Sequence, residues 1–510
     1  MQGEKSPVGE IGHVFINWAT TFSSLPRQFY RPRSIEEVQE IFRLVPQSKD
    51  LVAEEETVRV CGSGHSPSDL ACSNGTLIDI SRLNKVLHVD PETRVVHVQA
   101  GITLDELNQA LDKVGLAIPS LGSIADQTLA GAISTATHGT GATFGNLSTM
   151  VQWLDIVLPP SAESQQLSST VVRVSKTEDP DLFYSALCGL GCLGVIVGAG
   201  IQVVNAFRLE EELWVMDMDE YIRNSEQILT SGQFVRCFWF PQLNNVVVSR
   251  LNKTTKLNTP KPNALKTWFV EKFLAKFVHA LGLSVSLVYP NYIGYHARLM
   301  FYLVHRPGTF AWKAYFAALL GLDVSQNPVQ NTIAWEDLSP ITSKVDKSFQ
   351  IFNYDCGFPQ YTYEAAVPFE NTSKSLRDLK EWYESEFADP RGMRCHFPIE
   401  IRPTEHDEIW LSPTYQQQST YIGAVQYRPF NIPAPYRSIF SRFEAILLSN
   451  NARPHWAKTH TCTREALIRL YPRFMDFLKV RERVDPRGIM LNGYARRHLF
   501  GQGPKPSWFT

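Results

Sequence analysis

The chain has 510 residues, 44% of them apolar, and a formal net charge of −2 at pH 7. That length exceeds what one hydrophobic core sustains, so two or three domains are expected. Acidic and basic residues are interspersed and nearly balanced, which leaves no electrostatic footprint for nucleic acid or for an acidic substrate.

The N-terminus shows neither an apolar signal core nor an Arg-rich amphipathic presequence. Ser34-x-x-Glu37 after Pro32 reads as a capping box, followed at helical spacing by Val38, Ile41, Phe42 and Val45. A strand at 58–61 then runs into G-S-G-H-S-P-S-D at 62–69. Gly62 and Gly64 let the backbone approach an anionic group closely. Successive N–H groups around Ser63 and Ser66 can form a concavity for a phosphate, with His65 in reach of what that phosphate carries. The bland alternative is a tight turn with a surface histidine. A dinucleotide fingerprint of the G-x-G-x-x-G kind, with Asp79 ending the strand 76–80, fails on three counts. The third glycine is missing, Pro67 and Asp69 stand where a helix should begin, and no helical period follows.

A strand at 95–100 precedes a second capping box, Thr103-x-x-Glu106. Leu104, Leu107 and Leu111 share one helical face there, and Gly115 closes the C-terminus. Residues 119–141 contain no Lys or Arg and one carboxylate, and are rich in Gly, Ser, Thr and Ala. They make a poor independent core but a good surface for a large planar or phosphorylated ligand to lie against backbone N–H groups. Two later stretches, 182–207 and 277–297, lack Asp, Glu, Lys and Arg. The first reads as a buried strand and turn. The second contains two histidines and Pro290 and falls short of the roughly 20 predominantly apolar residues of a membrane span, so it reads as a buried segment or a peripheral membrane contact.

Near the C-terminus, F-P-I-E-I-R-P at 397–403 places Glu400 and Arg402 two apart, on one face of a strand with Ile399 and Ile401 on the other. Such a pair can orient hydroxyls and hold a developing alkoxide; it is also a common surface ion pair of little consequence. R-P-H-W-A-K-T-H at 453–460 presents Lys458, in isolation an ordinary exposed lysine. Eight cysteines stand at 61, 72, 188, 192, 237, 356, 395 and 462, with no C-x-x-C pair. Neither a disulfide framework nor a metal site is expected from that spacing.

G-S-G-H-S, then A-G-A-I-S-T-A-T-H-G-T-G, then L-G-C-L-G-V-I at 190–196 recur in the order seen in the PCMH-type FAD-binding domain of the vanillyl-alcohol-oxidase superfamily. Together with the E-x-R and H-W-x-K segments, the chain resembles the aldonolactone oxidases, above all the fungal D-arabinono-1,4-lactone oxidases. L-Gulonolactone oxidases stand as close relatives. The resemblance implies an α+β fold with a two-subdomain FAD-binding domain at 1–208. A substrate cap with a mainly antiparallel sheet follows at 209–450, and 451–510 returns to the FAD domain.

For the cofactor, the resemblance implies FAD linked covalently through His65 to the flavin 8α-methyl. The double attachment of another subgroup is excluded, because no cysteine lies between Cys72 and Cys188. Gly62, Ser63, Gly64, Ser66, Gly122, Ser123, Gly131, Ser134, Thr137, His138, Gly139, Gly194 and Ile196 complete the implied cofactor set, with His138 on the pyrophosphate side. Gly122 would leave oxygen a route to the flavin.

Glu400 and Arg402 would position substrate and stabilise the alkoxide, and Lys458 would stand near flavin N1. The implied reaction oxidises the C2 hydroxyl of an aldono-1,4-lactone with O2, giving an ascorbate-type product and H2O2. Alternatives are an alditol oxidase, a dehydrogenase serving another acceptor, or a flavoprotein redox partner without turnover. The fungal relatives imply a mitochondrial membrane location, which no targeting signal in this N-terminus supports.

Overall fold

The computed structural model describes residues 7–45, 53–160, 169–260, 274–305, 338–354 and 357–503. Cys356 lies outside them. The architecture is α+β, built on three main sheets. A small parallel sheet has the strand Thr76–Asp79 between Gln28–Tyr30 and Val58–Cys61. An antiparallel five-stranded sheet runs in the order Val171–Ser175, Val151–Val157, Val195–Gln202, Val95–Gln99, Val86–Val89. The strand Val195–Gln202 is buried along nearly its whole length, which its uncharged sequence requires. The stretch 182–207 does not open as a strand, however. Asp179 caps a helix at Pro180–Ala186, with Pro at its first position where the missing N–H costs nothing.

The third sheet has eight antiparallel strands in the order Thr342–Lys347, Arg208–Asp217, Asn245–Thr254, Phe234–Phe240, Ile399–Thr404, Ser419–Tyr427, Gln360–Pro368, Arg453–Pro454. Its strands alternate cleanly. Ile399, Ile401, Tyr363, Ala365 and Val367 are buried in one cluster with Leu376, Leu379 and Trp382 of the helix Thr372–Ala388 and with Phe443 of the helix Arg437–Ser449. The intervening side chains point to the opposite face, and that alternation aims the polar ones at the other sheets. Residues 456–499 return to the core of the parallel and five-stranded sheets: Trp456, Tyr471, Phe477, Ile489 and Tyr494 pack in the same cluster as Val58 and Ile78.

Of the two expected capping boxes, one is complete. Thr103 accepts from Glu106 N while the Glu106 carboxylate accepts from Thr103 N. At the other, Ser34 accepts from Glu37 N, but the Glu37 carboxylate accepts from Arg33 N instead of Ser34 N. The helix over Ile35–Leu44 forms with one half of the motif.

The uncharged stretch 277–297 lies in two helices, Lys276–Val288 and Tyr292–His305, broken at Pro290. No helix among the described residues is long and apolar enough to cross a membrane. His279 and His296 meet between the two helices, with Nδ1 and Nε2 2.9 Å apart. Burial depresses His279 to about 3 and His296 to about 4. Burial also holds His396, His455 and His460 at about 3 each.

An unfolded histidine titrates near 6.5, so these five imidazoles take up protons on unfolding at any pH between that value and their folded values. The stability they contribute is fully present above about 6.5 and is lost as pH falls toward 4, by about 1.4 kcal/mol per group per pH unit. Melting temperature measured from pH 7.5 to 4.5 should therefore hold nearly level down to 6.5 and then drop steeply. A level trace to pH 5 contradicts the burial of these rings.

Candidate active site

A cleft opens between the loop 62–66, residues 127–135 and residues 186–196. Gly62, Ser63, Gly64, His65, Ser66, Gly131, Ser134, Gly194 and Ile196 line it. A Cβ at Gly62 would collide with Thr128 Oγ1, so only glycine lets this turn approach so closely. Gly64, at φ +66, takes the left-handed conformation that completes the turn. The turn is held from the N-terminal side, where Trp18 N donates to the Gly64 carbonyl (2.8 Å) and Asn17 Nδ2 to that of Ser66 (3.0 Å).

Arg59 lies beneath, 2% exposed, and donates to the carbonyls of Leu70, Leu190, Gly191 and Met490. A guanidinium satisfied by four carbonyls keeps its full positive charge beside the cleft. Residue-type reading passed over it. The signal was an arginine between buried valines in V-R-V-C.

His65 lines this cleft and a second one, and so stands at their junction. Its Nδ1 is buried with no hydrogen-bond partner among the described residues. Burial lowers the imidazole pKa, Asp126 and Lys458 acting in opposite senses, so the ring is favoured neutral with a bare lone pair. Trp18 flanks it, ring centroids 5.4 Å apart. A glycine-lined turn, a buried fixed cation and an orphaned imidazole nitrogen at the mouth of a second cavity fit a flavin dinucleotide.

The second cleft is lined from three widely separated stretches of the chain. Gly122, Ser123, Thr137 and His138 come from the N-terminal region; Tyr354, Glu364, Glu400 and Arg402 from the eight-stranded sheet and its connections; His455 and Lys458 from the last segment. Glu400 and Arg402 share the face of their strand opposite Ile399 and Ile401 and pair directly, as their spacing predicts. Arg402 also donates to Ser123 Oγ and to Tyr354 Oη (2.8 Å), and Tyr354 donates to Glu400. Burial disfavours the Arg402 charge, but Glu400 and Tyr354 outweigh it and raise the guanidinium pKa. Arg402 Nε remains a buried donor with no partner among the described residues. Asn353 Nδ2 donates to the Gly122 carbonyl (2.9 Å) and Tyr354 N to that of Ser123 (3.0 Å), which fastens the 353–354 segment over the loop.

Three expected cofactor residues sit elsewhere than the linear motif suggests. His138, expected at the pyrophosphate end, lines the second cleft, stacked on Tyr421 at 3.5 Å between ring centroids. Thr137 accompanies it. Gly139 lines neither cleft; a Cβ there would collide with Ser120 Oγ, so its role in the fold is close packing. The reason is the abrupt turn at Ala136, φ +52, which separates the motif's two halves. Gly122 also has a packing constraint, since a Cβ would lie 3.0 Å from the His138 carbonyl oxygen.

Glu364 was not anticipated. Its Oε1 lies 3.2 Å from His138 Nε2 and its Oε2 3.6 Å from Lys458 Nζ. Burial raises the carboxyl pKa, yet Lys458, His138 and His455 overcome it and hold Glu364 well below the usual carboxylate range. Among the described residues, two clusters bring groups that could hold a metal ion within 4.8 Å of one another: His138, half-buried Glu364 and His455, and the fully buried Glu444, His460 and Cys462. Cysteine spacing alone could not disclose the second. The seven described cysteines are all free thiols.

Residues 26–168 match the family described as an FAD binding domain, and residues 199–498 match the D-arabinono-1,4-lactone oxidase family. L-Gulonolactone oxidase of Bos taurus is 33% identical over 492 residues, covering 96% of this chain and 99% of that one. D-Arabinono-1,4-lactone oxidase of Yarrowia lipolytica is 28% identical over 548 residues, covering 94% and 96% respectively. A solvent-stable cholesterol oxidase superposes with a TM-score of 0.73 over 97% of this chain and 98% of its own; at 18% identity it shares the fold.

Proposed function

The chain belongs to the D-arabinono-1,4-lactone oxidase family, an FAD-dependent oxidoreductase, and from that membership we propose the conversion of D-arabinono-1,4-lactone, or a related aldono-1,4-lactone, and O2 to the dehydro-lactone (D-erythroascorbate) and H2O2. The observation that carries the proposal is the Glu400–Arg402 pair on the wall of a cleft that His65 joins to the glycine-lined one. When bound, FAD supplies the two-electron chemistry, taking the C2 hydride at N5 and reducing dioxygen.

The residues do the rest. Glu400 accepts hydrogen bonds from lactone hydroxyls and so orients C2. Arg402 offers its spare donor to the C2 oxygen as that oxygen becomes an alkoxide, a charge best stabilised by a fixed, dry donor. Lys458, on the wall of the same cleft, would supply an ammonium to offset negative charge on the flavin when it is bound. Gly62, Ser63, Gly64 and Ser66 would hold the diphosphate by backbone N–H groups, and His65 would be the residue joined to the flavin methyl, the new C–N bond replacing a C–H bond whose proton goes to solvent and whose two electrons leave through the flavin to O2. Gly122 keeps the approach to the ring free of a side chain.

L-Gulono-1,4-lactone is the second reading, favoured by the 33% identity to the bovine protein named for that activity. Oxygen uptake by purified holoenzyme, measured against D-arabinono-, L-gulono- and L-galactono-lactone and open-chain alditols, separates the readings. Lactones should be turned over with stoichiometric H2O2 and alditols hardly at all. Turnover with cytochrome c but no oxygen uptake overturns the oxidase reading. Attachment to the mitochondrial membrane belongs to the same proposal. Phe277, Leu281 and Val288, exposed on the first helix of the 276–305 pair, are the side chains that would meet lipid.

A further inference from the structure

We propose that Glu444, His460 and Cys462 form a structural site for a divalent cation of the zinc class, which ties the helix Arg437–Ser449 to the C-terminal segment. None of the three residues lines either cleft, and the site stands independently of the oxidase reading.

Glu444 is on the helix Arg437–Ser449, while His460 and Cys462 lie in the stretch that leads into the helix Arg464–Leu470. All three are buried, and a Glu444 oxygen, a His460 ring nitrogen and the Cys462 sulfur lie within 4.8 Å of one another. Glu444 Oε1 and Cys462 Sγ are 3.9 Å apart. A tetrahedral zinc, with bonds of about 2.3 Å to sulfur and about 2.1 Å to oxygen, holds two such ligands about 3.6 Å apart. The donors therefore stand close to where the ion needs them.

Hydrogen bonding leaves His460 in its ligating form. Tyr494 Oη donates its hydrogen to the Trp456 carbonyl (2.8 Å), so it accepts from His460 Nε2 (3.4 Å). Nε2 thus carries the hydrogen. Nδ1 is left with a bare lone pair, buried and with no partner among the described residues. A ligating histidine is held in just this way, by a bond from its other ring N–H. His498 packs beside it, ring centroids 4.3 Å apart, and donates from Nδ1 to the Cys462 carbonyl (3.3 Å), which fixes the backbone next to the thiol. Its Nε2 is a further buried nitrogen with no partner among the described residues.

Charge points the same way. The Glu444 oxygens accept from Thr461 N (2.8 Å) and Thr461 Oγ1 (2.6 Å), neutral donors that give a carboxylate no counter-ion. Glu364, in the other cluster, already has Lys458 at 3.6 Å. A dication held by one carboxylate, one thiolate and one neutral imidazole leaves no net charge in the interior, where an unpaired ion is costly. As the sulfur–metal bond forms, the Cys462 thiol releases its proton to solvent, together with any proton on Glu444. A thiolate beside an imidazole suits zinc and not magnesium or calcium, which take oxygen ligands. The bound ion would anchor the segment that carries His455 and Lys458 into the substrate cleft.

Holoenzyme expressed with added zinc and dialysed against a chelator should keep about one zinc per chain, with one sulfur ligand at about 2.3 Å by X-ray absorption at the zinc edge. Expressed with cobalt instead, it should show d–d bands to the red of the flavin absorption and a thiolate-to-cobalt charge-transfer band. Cys462→Ser and His460→Gln should keep the flavin spectrum and lose the metal. Wild-type protein that carries neither zinc nor cobalt overturns the proposal. Bound metal without a sulfur ligand overturns it equally, since such an ion would belong to His138, Glu364 and His455, which offer no sulfur. Both decisive readings use the wild-type chain, so they hold even where a variant fails to fold. Neither depends on turnover.

Discussion

Arg402→Met should lower kcat/KM for the preferred lactone by about 10²–10³-fold, the usual consequence of removing one preorganised donor from a developing oxyanion. The loss should fall mainly on the rate of anaerobic flavin reduction, followed by stopped flow, and less on substrate affinity. Arg402 holds Ser123, Tyr354 and Glu400 together, and its Nε is the donor left over at the cleft wall. Methionine matches the stem but leaves Glu400 without its counter-charge, so hydroxyl orientation suffers as well. Arg402→Lys should recover little of the activity, because an ammonium cannot reproduce the fork that serves several partners at once. A reduction rate within about threefold of wild type for Arg402→Met would remove this residue from the chemistry.

The second large effect concerns His65. Acid-precipitated wild-type protein should stay yellow, and His65→Ala should release its colour into the supernatant. His65 Nδ1 is buried without a partner among the described residues, which is costly, and a bond to the flavin methyl would remove the cost. Burial favours the neutral ring, the nucleophilic form. The freed flavin should also be harder to reduce. For a two-electron couple, each tenfold change in that equilibrium is about 30 mV, so redox titration of the variant reads the effect directly. Wild-type flavin lost on precipitation would reject the bond while leaving the dinucleotide cleft intact.

The parts of this site that could be read from sequence are those whose partners lie close along the chain. Glu400 and Arg402 are two apart on a strand, and period-two alternation brings them together without further information. The turn Gly62–Ser66 was legible because steric demand, visible as glycine, is local. Glu364 was not, because its two partners lie on other segments: His138 is 226 residues away and belongs to a motif whose linear reading put it at the other end of the cofactor. Alternation in Q-Y-T-Y-E-A-A-V placed Glu364 with Gln360 and Thr362 on the face opposite Tyr363, Ala365 and Val367, which marks it as polar without naming its partners. Lys458 carried no signal of its own; only the resemblance singled it out. The half-formed box at Ser34 shows the complementary limit, since Glu37 had an equally near backbone donor one residue earlier.

The Arg59 guanidinium, which grips Leu70 and Leu190 on one side and Met490 on the other, also bears on biosynthesis. The same seam is closed by Val58 N on the Ile489 carbonyl, Asn492 on the carbonyls of Leu70 and Cys72, and Arg497 on Asp69. A polypeptide still emerging from the ribosome lacks these clasps until residues 489–497 are made. The wall behind the glycine-lined cleft is therefore closed only once the segment 489–497 has docked against residues 58–72.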